Sequence, residues 1–334
     1  MKILRISTRS YSYRDFAHLF NGPVCVTLTK NSLHNLKQSH KRLLAKINTG
    51  ETIYGVNTGF GNLSNIKIDP KDQKDLQLNL VRSHASGVGN PLEPGLIRTI
   101  FVLKLLTYVK GYSGIRSAVA EKIVQFLNHD ILPVIPEKGS VGASGDLAPL
   151  GHMALALIGE GKVFYNGKEI TTKTALSKAN IKPLVLQQKE GLSLINGTQV
   201  STALAIKSLL DGDLLLKTAD IAGALSVENS FASRKVFQKK IHALKKHPGQ
   251  QSAASNVYKL LNGSKIVKSH SNCGIVQDPY SFRCIPHIHG ASRDGFTRAA
   301  NMIDNEINSV SDNPIVLENG DIVNSGHFHG EHVA

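Results

Sequence analysis

The segment 190–230 constrains the possible folds of this chain more than any other. It reads EGLSLINGTQVSTALAIKSLLDGDLLLKTADIAGALSVENS, and its apolar residues fall on nearly every face of the long helix that the segment predicts. A helix that is apolar all round has to be covered by other helices on all sides. The sequence therefore predicts a helical bundle in which this segment lies deep.

Other segments agree with a mainly α protein. Helical patterns are predicted over 32–48 (with Ser32 as N-cap), 71–87, 94–111, 115–136, 146–161 and 291–313, and several end at glycine or proline. Strand patterns are confined to 23–29 and to a hairpin over 161–170 that turns at Asn166-Gly167. We therefore expect a smaller mixed α/β part over 1–110 and a helical bundle part over 111–334.

Composition excludes several classes of function. The 334 residues carry a net charge of +14, and the densest basic stretch, 234–250, contains a single Phe and resembles no nucleic-acid module. A solvated basic face is the interpretation, with no nucleic-acid partner. The sequence has no run of about 18 apolar residues, so neither a membrane span nor a membrane partner is expected. The N-terminus lacks a signal-peptide pattern. Three widely spaced cysteines favour a reducing, cytoplasmic location.

The stretch GSVGASGDLAPLGH, 139–152, places four small residues before an apolar helical run. It could be a simple tight turn, with Asp146 as N-cap of the helix that follows. It could also present Ser144 as a nucleophile, but a nucleophile elbow needs glycine two residues to each side. Gly142 satisfies that requirement on one side, and Asp146 breaks it on the other.

A third interpretation rests on backbone chemistry. In a compressed turn, the amide nitrogen of Gly145 can attack the carbonyl carbon of Ala143, and loss of water closes a five-membered ring. Loss of the Ser144 hydroxyl as a second water leaves an exocyclic methylidene. The product, a methylidene-imidazolone (MIO), is a strong electrophile built from the chain, and small residues permit the close approach that it requires. A helix that starts at Asp146 would direct its positive end towards the ring.

This stretch resembles the signature of the histidine, phenylalanine and tyrosine ammonia-lyase family. Further segments resemble that family in the same order along nearly the whole chain: YGVNTGFG (54–61), RSHASGVG (82–89), INGTQVSTALA (195–205), KHPGQ (246–250), QDPYSFRCIP (277–286), EINSVSDNPIV (306–316) and, more loosely, GHFHGE (326–331). His84 favours the histidine branch, because phenylalanine-selective members usually have an apolar residue there. Some tyrosine-selective members also have histidine near this place, so a tyrosine ammonia-lyase or an aminomutase stays open.

The resemblance implies the fold, the reaction and the role of each residue. The fold would be a long-helix bundle of the fumarase/aspartase-like type, and the reaction a non-oxidative elimination of ammonia from L-histidine that gives trans-urocanate. Ala143-Ser144-Gly145 would form the methylidene-imidazolone, with no external cofactor, and Tyr54 would remove the β-proton as general base. The residues implied to bind the substrate are His84 (imidazole), Asn196, Gln277, Tyr280, Arg283 (carboxylate) and Phe328 (cavity wall).

The C-terminal residues raise two further expectations. The histidines in HFHGEH (327–332) and HIH (287–289) lack the spacing of a zinc protease motif, so no metal site is expected. In the family His329 and Glu331 are ordinary, whereas His327 and His332 depart from the usual residues. Family members also continue beyond Ala334 with more bundle helices and a glutamate near the substrate amine, and they form homotetramers. We therefore expect a truncated chain, with an inactive relative as the alternative to an enzyme.

Overall fold

The fold was described from a computed structural model, which covers residues 3–61 and 64–333. Helices dominate and strands are short, so the prediction of a mainly α protein is confirmed. The chain forms two compact units: Met1–Lys207 together with Ile303–Ala334, and Ser208–Met302. The predicted division into domains at residue 110 is a different boundary and stays a prediction.

The first unit begins with a small mixed layer. Strand β1 (Ile3–Ile6) pairs in parallel with β2 (Cys25–Leu28), which confirms the strand predicted over 23–29. A 3-10 helix (Tyr13–Phe20) connects them, and helix α1 (Lys30–Asn48) follows. Ser32 lies inside α1 rather than at its cap, because Thr29 is the N-cap and accepts a hydrogen bond from the Ser32 amide.

The core of the first unit is built around α3. The elements in this region are α2 (Gln73–His84), β3 (Val88–Pro91), α3 (Pro94–Val109), α4 (Ser117–Asn128), β4 (Leu132–Pro133) and β5 (Pro136–Lys138). Nearly every side chain of α3 is buried, and Pro94 begins the helix, where its missing amide hydrogen costs nothing. Helix α4 ends at Asn128, before the two prolines that were predicted to stop it, and the chain continues as short strands.

Helix α5 (Leu147–Leu157) follows the Gly-rich stretch. The predicted hairpin is present as β6 (Lys162–Tyr165) and β7 (Lys168–Thr171), which are joined by Asn166 and Gly167, both with positive φ. Strand β4 extends this pair to a three-stranded sheet, and helix α6 (Thr172–Ala179) completes the region.

The long helix predicted over 190–230 is interrupted. Helix α7 (Glu190–Ile195) ends at Asn196, and helix α8 (Gln199–Asn229) begins after Thr198. The expected single helix is therefore wrong at residues 196–198, where the Asn-Gly sequence leaves helical geometry and Gly197 adopts φ +115°. This break shapes the candidate site.

The second unit contains most of α8, four further helices and most of a fifth, which continues past the unit boundary at 302–303. They are α9 (Lys239–His242), α10 (Pro248–Leu260), α11 (Lys265–Ser269), α12 (Tyr280–Arg283) and α13 (Ile285–Ile307), with a 3-10 helix at Arg234–Phe237. Their small core is centred on Phe237 and Val257. Among the described residues, no helix combines the length and the hydropathy needed to cross a bilayer.

The chain returns to the first unit after residue 302. Helix α13 ends at Ile307, earlier than the Asn313-Pro314 stop that the sequence predicts. Strands β8 (Ile315–Val316) and β9 (Ile322–Val323) then form a short antiparallel pair. Val316 packs with Leu43, Ile53 and Val56 in a buried cluster, which holds the C-terminal segment against the N-terminal part of this unit.

Candidate active site

The Gly-rich loop is held in a compressed conformation. The Gly145 amide donates to the Gly142 carbonyl at 3.3 Å, and Gly145 has φ +72°, which favours glycine. A Cβ atom at Gly145 would lie 2.3 Å from the carbonyl oxygen of Gly197 and 2.8 Å from that of Phe328. Only glycine fits this position, as the cyclisation chemistry requires.

Asp146 connects this loop to the start of α8. Its backbone amide donates to the Gly197 carbonyl at 2.8 Å, and its buried carboxylate accepts from the amides of Val200 and Ser201, each at 2.8 Å. The side chain therefore caps α8, whereas the sequence predicted it as the cap of its own helix, for which it makes no side-chain hydrogen bond. The Gly-rich loop is thereby fixed against the break between α7 and α8.

The loop that carries Tyr54 is fixed by buried polar groups. The Asn57 side chain accepts from the Ile53 amide and donates to the Glu51 carbonyl, each at 2.7 Å. The buried Gln77 of α2 donates to the Gly55 carbonyl at 2.9 Å and accepts from the Leu192 amide at 3.0 Å. Gln77 thus links the Tyr54 loop to α7.

Asn196 ends α7 and is almost fully buried. Its side-chain Nδ2 donates to the Asn313 carbonyl at 2.9 Å, which leaves Oδ1 as the acceptor of this amide. The sequence singled out Asn196 as a polar residue within an apolar helix. The structure instead places it at a helix end, where the break of the backbone turns it towards the cavity that it lines.

A buried ion pair lies behind Asn196. Lys189 Nζ donates to Asp312 Oδ1 at 2.9 Å, and both side chains are fully buried. Asp312 also accepts from Ser193 Oγ at 2.6 Å and from the Asn313 amide at 2.7 Å. Burial lowers the pKa of Lys189 from its ordinary value, while the charge of Asp312 opposes that change.

His84 ends helix α2 in a defined orientation. Its Nδ1 lies 2.8 Å from the Leu80 carbonyl oxygen, and because a carbonyl only accepts, Nδ1 carries the hydrogen. In the neutral ring, Nε2 is then an acceptor. His84 lines the same cavity as Asn196. It also lines a smaller cavity of about 220 Å³ that is bordered by Ala143, Ser144 and Gly145.

Five of the predicted site residues line one cavity of about 730 Å³ in the first unit. They are Tyr54, His84, Ser144, Asn196 and Phe328. They come from distant parts of the chain, so the fold rather than the sequence order brings them together. Further residues of this cavity that the sequence did not indicate include Leu80, Leu192 and Asn313.

The other predicted binding residues belong to the second unit. Gln277 and Arg283 line a separate cavity of about 410 Å³, and Tyr280 is largely exposed. Arg283 Nε donates to the Asp278 carbonyl at 2.7 Å, and its guanidinium lies 4.8 Å from the centre of the Tyr280 ring. Their roles in substrate binding stay predictions.

Sequence reasoning missed the residues that support the site. Gln77 and Lys189 each place a polar side chain in a buried position, and Asp312 belongs to a motif that was matched without a role for its carboxylate. A polar residue that recurs on the buried face of an amphipathic helix, as Gln77 does beside Leu80 and Val81, is a signal that could have found one of them.

The chain is similar to known proteins in sequence and in fold. A histidine ammonia-lyase of Myxococcus xanthus is 45% identical over 299 residues, which are 89% of this chain and 59% of that protein. The crystal structure of histidine ammonia-lyase from Trypanosoma cruzi superposes with a TM-score of 0.89 at 32% identity, over 100% of this chain and 62% of that one. A tyrosine aminomutase from Streptomyces globisporus superposes with a TM-score of 0.92 at 32% identity, over 99% and 66%.

The chain spans about three fifths of the length of the curated relatives that it matches first. The match to the sequence profile of the aromatic amino acid lyases extends over residues 11–334, which is nearly the whole chain. The fumarase-like, mainly helical fold expected from the motifs is the fold of the matched structures. The chain belongs to the aromatic amino acid lyase family.

Proposed function

We propose that this chain is a histidine ammonia-lyase, which eliminates ammonia from L-histidine to give trans-urocanate. The observation that carries the proposal is the single cavity lined by Tyr54, His84, Ser144, Asn196 and Phe328. This cavity brings together the Tyr54 phenol for proton abstraction, Ser144 of a tripeptide that is suited to form an electrophile, and His84 as a polar group that can bind the aromatic ring of the substrate. The sequence similarity to histidine ammonia-lyases supports the choice of substrate.

The residues of the loop fit a methylidene-imidazolone. Ala143 and Gly145 are small, Gly145 is confined by two carbonyl oxygens, and Ser144 faces the cavity with a hydroxyl that can leave as water. When formed, this group supplies an electrophile that accepts the substrate amine and makes it a better leaving group. Asp146 fixes the loop through its hydrogen bonds. Because the backbone is already ordered, ring closure costs less conformational entropy.

The remaining side chains bind and deprotonate the substrate. Tyr54 is proposed as the general base that removes the weakly acidic β-proton, and Asn196 offers its Oδ1 as a hydrogen-bond acceptor. Phe328 forms an apolar wall of the cavity. In the second unit, Arg283 is proposed to pair with a substrate carboxylate, for which its forked guanidinium is suited, and Gln277 and Tyr280 to line a binding site; Gln277 and Arg283 share a separate cavity of this chain.

The hydrogen-bonding state of His84 favours a substrate ring that donates. With Nδ1 committed to Leu80, the neutral imidazole keeps Nε2 as an acceptor. The imidazole of histidine has an N–H donor and the phenol of tyrosine has an O–H donor, whereas the phenyl ring of phenylalanine has neither. A site that hydrogen-bonds the substrate ring favours a substrate that carries the donor.

The test is near-UV absorbance of the purified chain with L-histidine, L-tyrosine and L-phenylalanine in parallel. We expect a rise from the conjugated acrylate product with histidine, and no rise with the Ser144→Ala variant. Full activity of Ser144→Ala would refute the electrophile assignment. Preferential turnover of tyrosine would replace histidine by tyrosine as the substrate, and intact mass without the loss of two waters would indicate an inactive relative.

The second candidate is a tyrosine aminomutase. The fold of the Streptomyces globisporus enzyme, with a TM-score of 0.92, matches as well as that of the histidine enzyme, so the fold does not separate the two activities. Chromatography after incubation with L-tyrosine separates the two, since an aminomutase yields the β-amino acid and a lyase yields the acrylate and ammonia.

The proposal extends to assembly and location. The family resemblance implies a homotetramer, and the second unit exposes apolar side chains such as Leu214 and Leu215 that suit further packing. A cytoplasmic location fits the three unpaired cysteines. Size-exclusion chromatography with light scattering tests the assembly, and a monomer would contradict it.

A further inference from the structure

Lys104 has a buried amino group that the proposed reaction does not use. It lies in the middle of α3, and its side chain is fully buried. An ammonium group removed from water costs several kcal/mol unless partners replace the lost hydration. The partners of this group therefore indicate what its burial stabilises.

These partners flank the break between α7 and α8. Nζ donates to the backbone carbonyl of Asn196 and to Gln199 Oε1, the second at 3.3 Å. The Tyr108 ring lies 5.4 Å from the same atom, within the range of a cation–π contact. Gln199 is itself fixed, because its side-chain amide donates to Thr107 Oγ1 at 3.2 Å. The amino group of Lys104 is therefore held by the end of α7 and by the start of α8.

The Asn196 carbonyl belongs to the peptide that joins Asn196 to Gly197. Fixing this carbonyl fixes the plane of that peptide, since the peptide unit is rigid. On one side of the peptide is the Asn196 side chain, which lines the cavity. On the other side is Gly197, whose own carbonyl accepts from the Asp146 amide and confines Gly145.

The nearby charges do not replace Lys104. Asp312, Lys189 and Asp146 are the charged groups that act on it, but Asp312 is paired with Lys189, and Asp146 accepts from α8 and from Ser140. Burial lowers the pKa of Lys104 to about 7, with the charge of Lys189 adding to the effect. The neutral amine keeps hydrogens to donate as the ammonium does, so either form can hold the groups at the break.

We propose that Lys104 is a positioning residue: its buried amino group fixes the Asn196–Gly197 peptide and thereby sets both the Asn196 side chain and the carbonyl that confines Gly145. The inference rests on the proposed function and deepens it. Lys104 touches neither substrate nor reacting atoms. Its loss should therefore change maturation of the loop and the rate of the chemical step more than it changes substrate affinity.

The experiment compares Lys104→Met and Lys104→Arg with Lys110→Met as the matched control. Lys110 follows the same helix and donates to the Ser309 carbonyl rather than to a group at residues 196–199. Intact mass reports the loss of two waters, steady-state kinetics with L-histidine report kcat and KM, and circular dichroism reports folding. For Lys104→Met we expect less of the dehydrated form and a kcat lower by about tenfold or more, with KM within about threefold.

The control and the arginine variant sharpen the result. Lys110→Met should match the wild type in mass and kcat, and Lys104→Arg should recover part of both because it keeps a buried donor. A folded Lys104→Met with wild-type mass change and kcat overturns the inference. If that variant does not fold, Gln199→Leu decides: it removes the second acceptor of Lys104, a lowered kcat at unchanged KM supports the inference, and a wild-type kcat overturns it.

Failure of the proposed function gives a different result. A wild-type chain that shows no loss of two waters overturns the electrophile assignment, and this inference falls with it. A wild-type chain that loses two waters and turns over histidine, while Lys104→Met does the same at equal rate, overturns only the role of Lys104.

Discussion

Replacing Lys189 with methionine is expected to destabilise the chain strongly. Lys189 and Asp312 form a fully buried ion pair at 2.9 Å, and the substitution leaves the carboxylate without its cation. Methionine fills a similar volume and has the same backbone restrictions, so the change isolates the charge. Removing one partner of a buried pair typically costs about 3–5 kcal/mol of unfolding free energy.

The remaining partners of Asp312 decide where in that range the loss of unfolding free energy falls. Asp312 keeps two donors after the substitution, Ser193 Oγ at 2.6 Å and the Asn313 amide at 2.7 Å. Hydrogen bonds to a charged group contribute more than neutral ones, so these two offset part of the loss. We therefore expect a loss of about 3 kcal/mol, at the lower end of the range for broken buried pairs.

Urea unfolding followed by circular dichroism measures this loss, with Lys162→Met as the matched control. Lys162 pairs with Glu169 at 2.8 Å, but both side chains are largely exposed. The control should lose no more than about 1 kcal/mol. The double variant Lys189→Met/Asp312→Asn should recover part of the loss because the unpaired charge is gone. A Lys189→Met loss as small as that of the control would refute the reasoning.

Three further results are expected. Gln77→Leu leaves two buried backbone groups unsatisfied, so it should lower the melting temperature and kcat, and an unchanged kcat would show that the Tyr54 loop does not depend on it. Gly145→Ala should abolish the loss of two waters seen by intact mass, because its Cβ would lie 2.3 Å from the Gly197 carbonyl. Lys104 has a pKa of about 7 in the folded chain against 10.5 ordinarily, so the unfolded chain binds more protons between these values. Unfolding free energy should rise with pH over this window, and the rise should be smaller in Lys104→Met; equal slopes would contradict the shift.

Local sequence signals predicted the features that local physics controls. Pro94 begins α3 because a proline at the first helical position loses no hydrogen bond. Asn166 and Gly167 form the hairpin turn because both tolerate positive φ. The unusual composition of 139–146 indicated the compressed turn for the same reason, since glycine alone accepts the contacts at Gly145.

The break at 196–198 was missed because the signal that predicts a helix is the same on both sides of it. Apolar residues continue from α7 into α8, so periodicity alone gives one helix. What ends α7 and starts α8 is tertiary: the Asp146 carboxylate caps α8 across 54 residues of sequence. Within the segment, the Asn196-Gly197 pair is a local turn signal, and apolar periodicity alone does not register it.

The polar residues around the site follow the same logic. Lys104, Gln77 and Lys189 are buried polar residues, and each is satisfied by a partner more than 20 residues away. Burying such a residue costs free energy unless its distant partner is in place. The residue therefore contributes little to local structure, and it favours the one tertiary arrangement that brings the partner to it. Motifs therefore indicated five of the residues that line the cavity, whereas the residues that hold them in place became evident only from the fold.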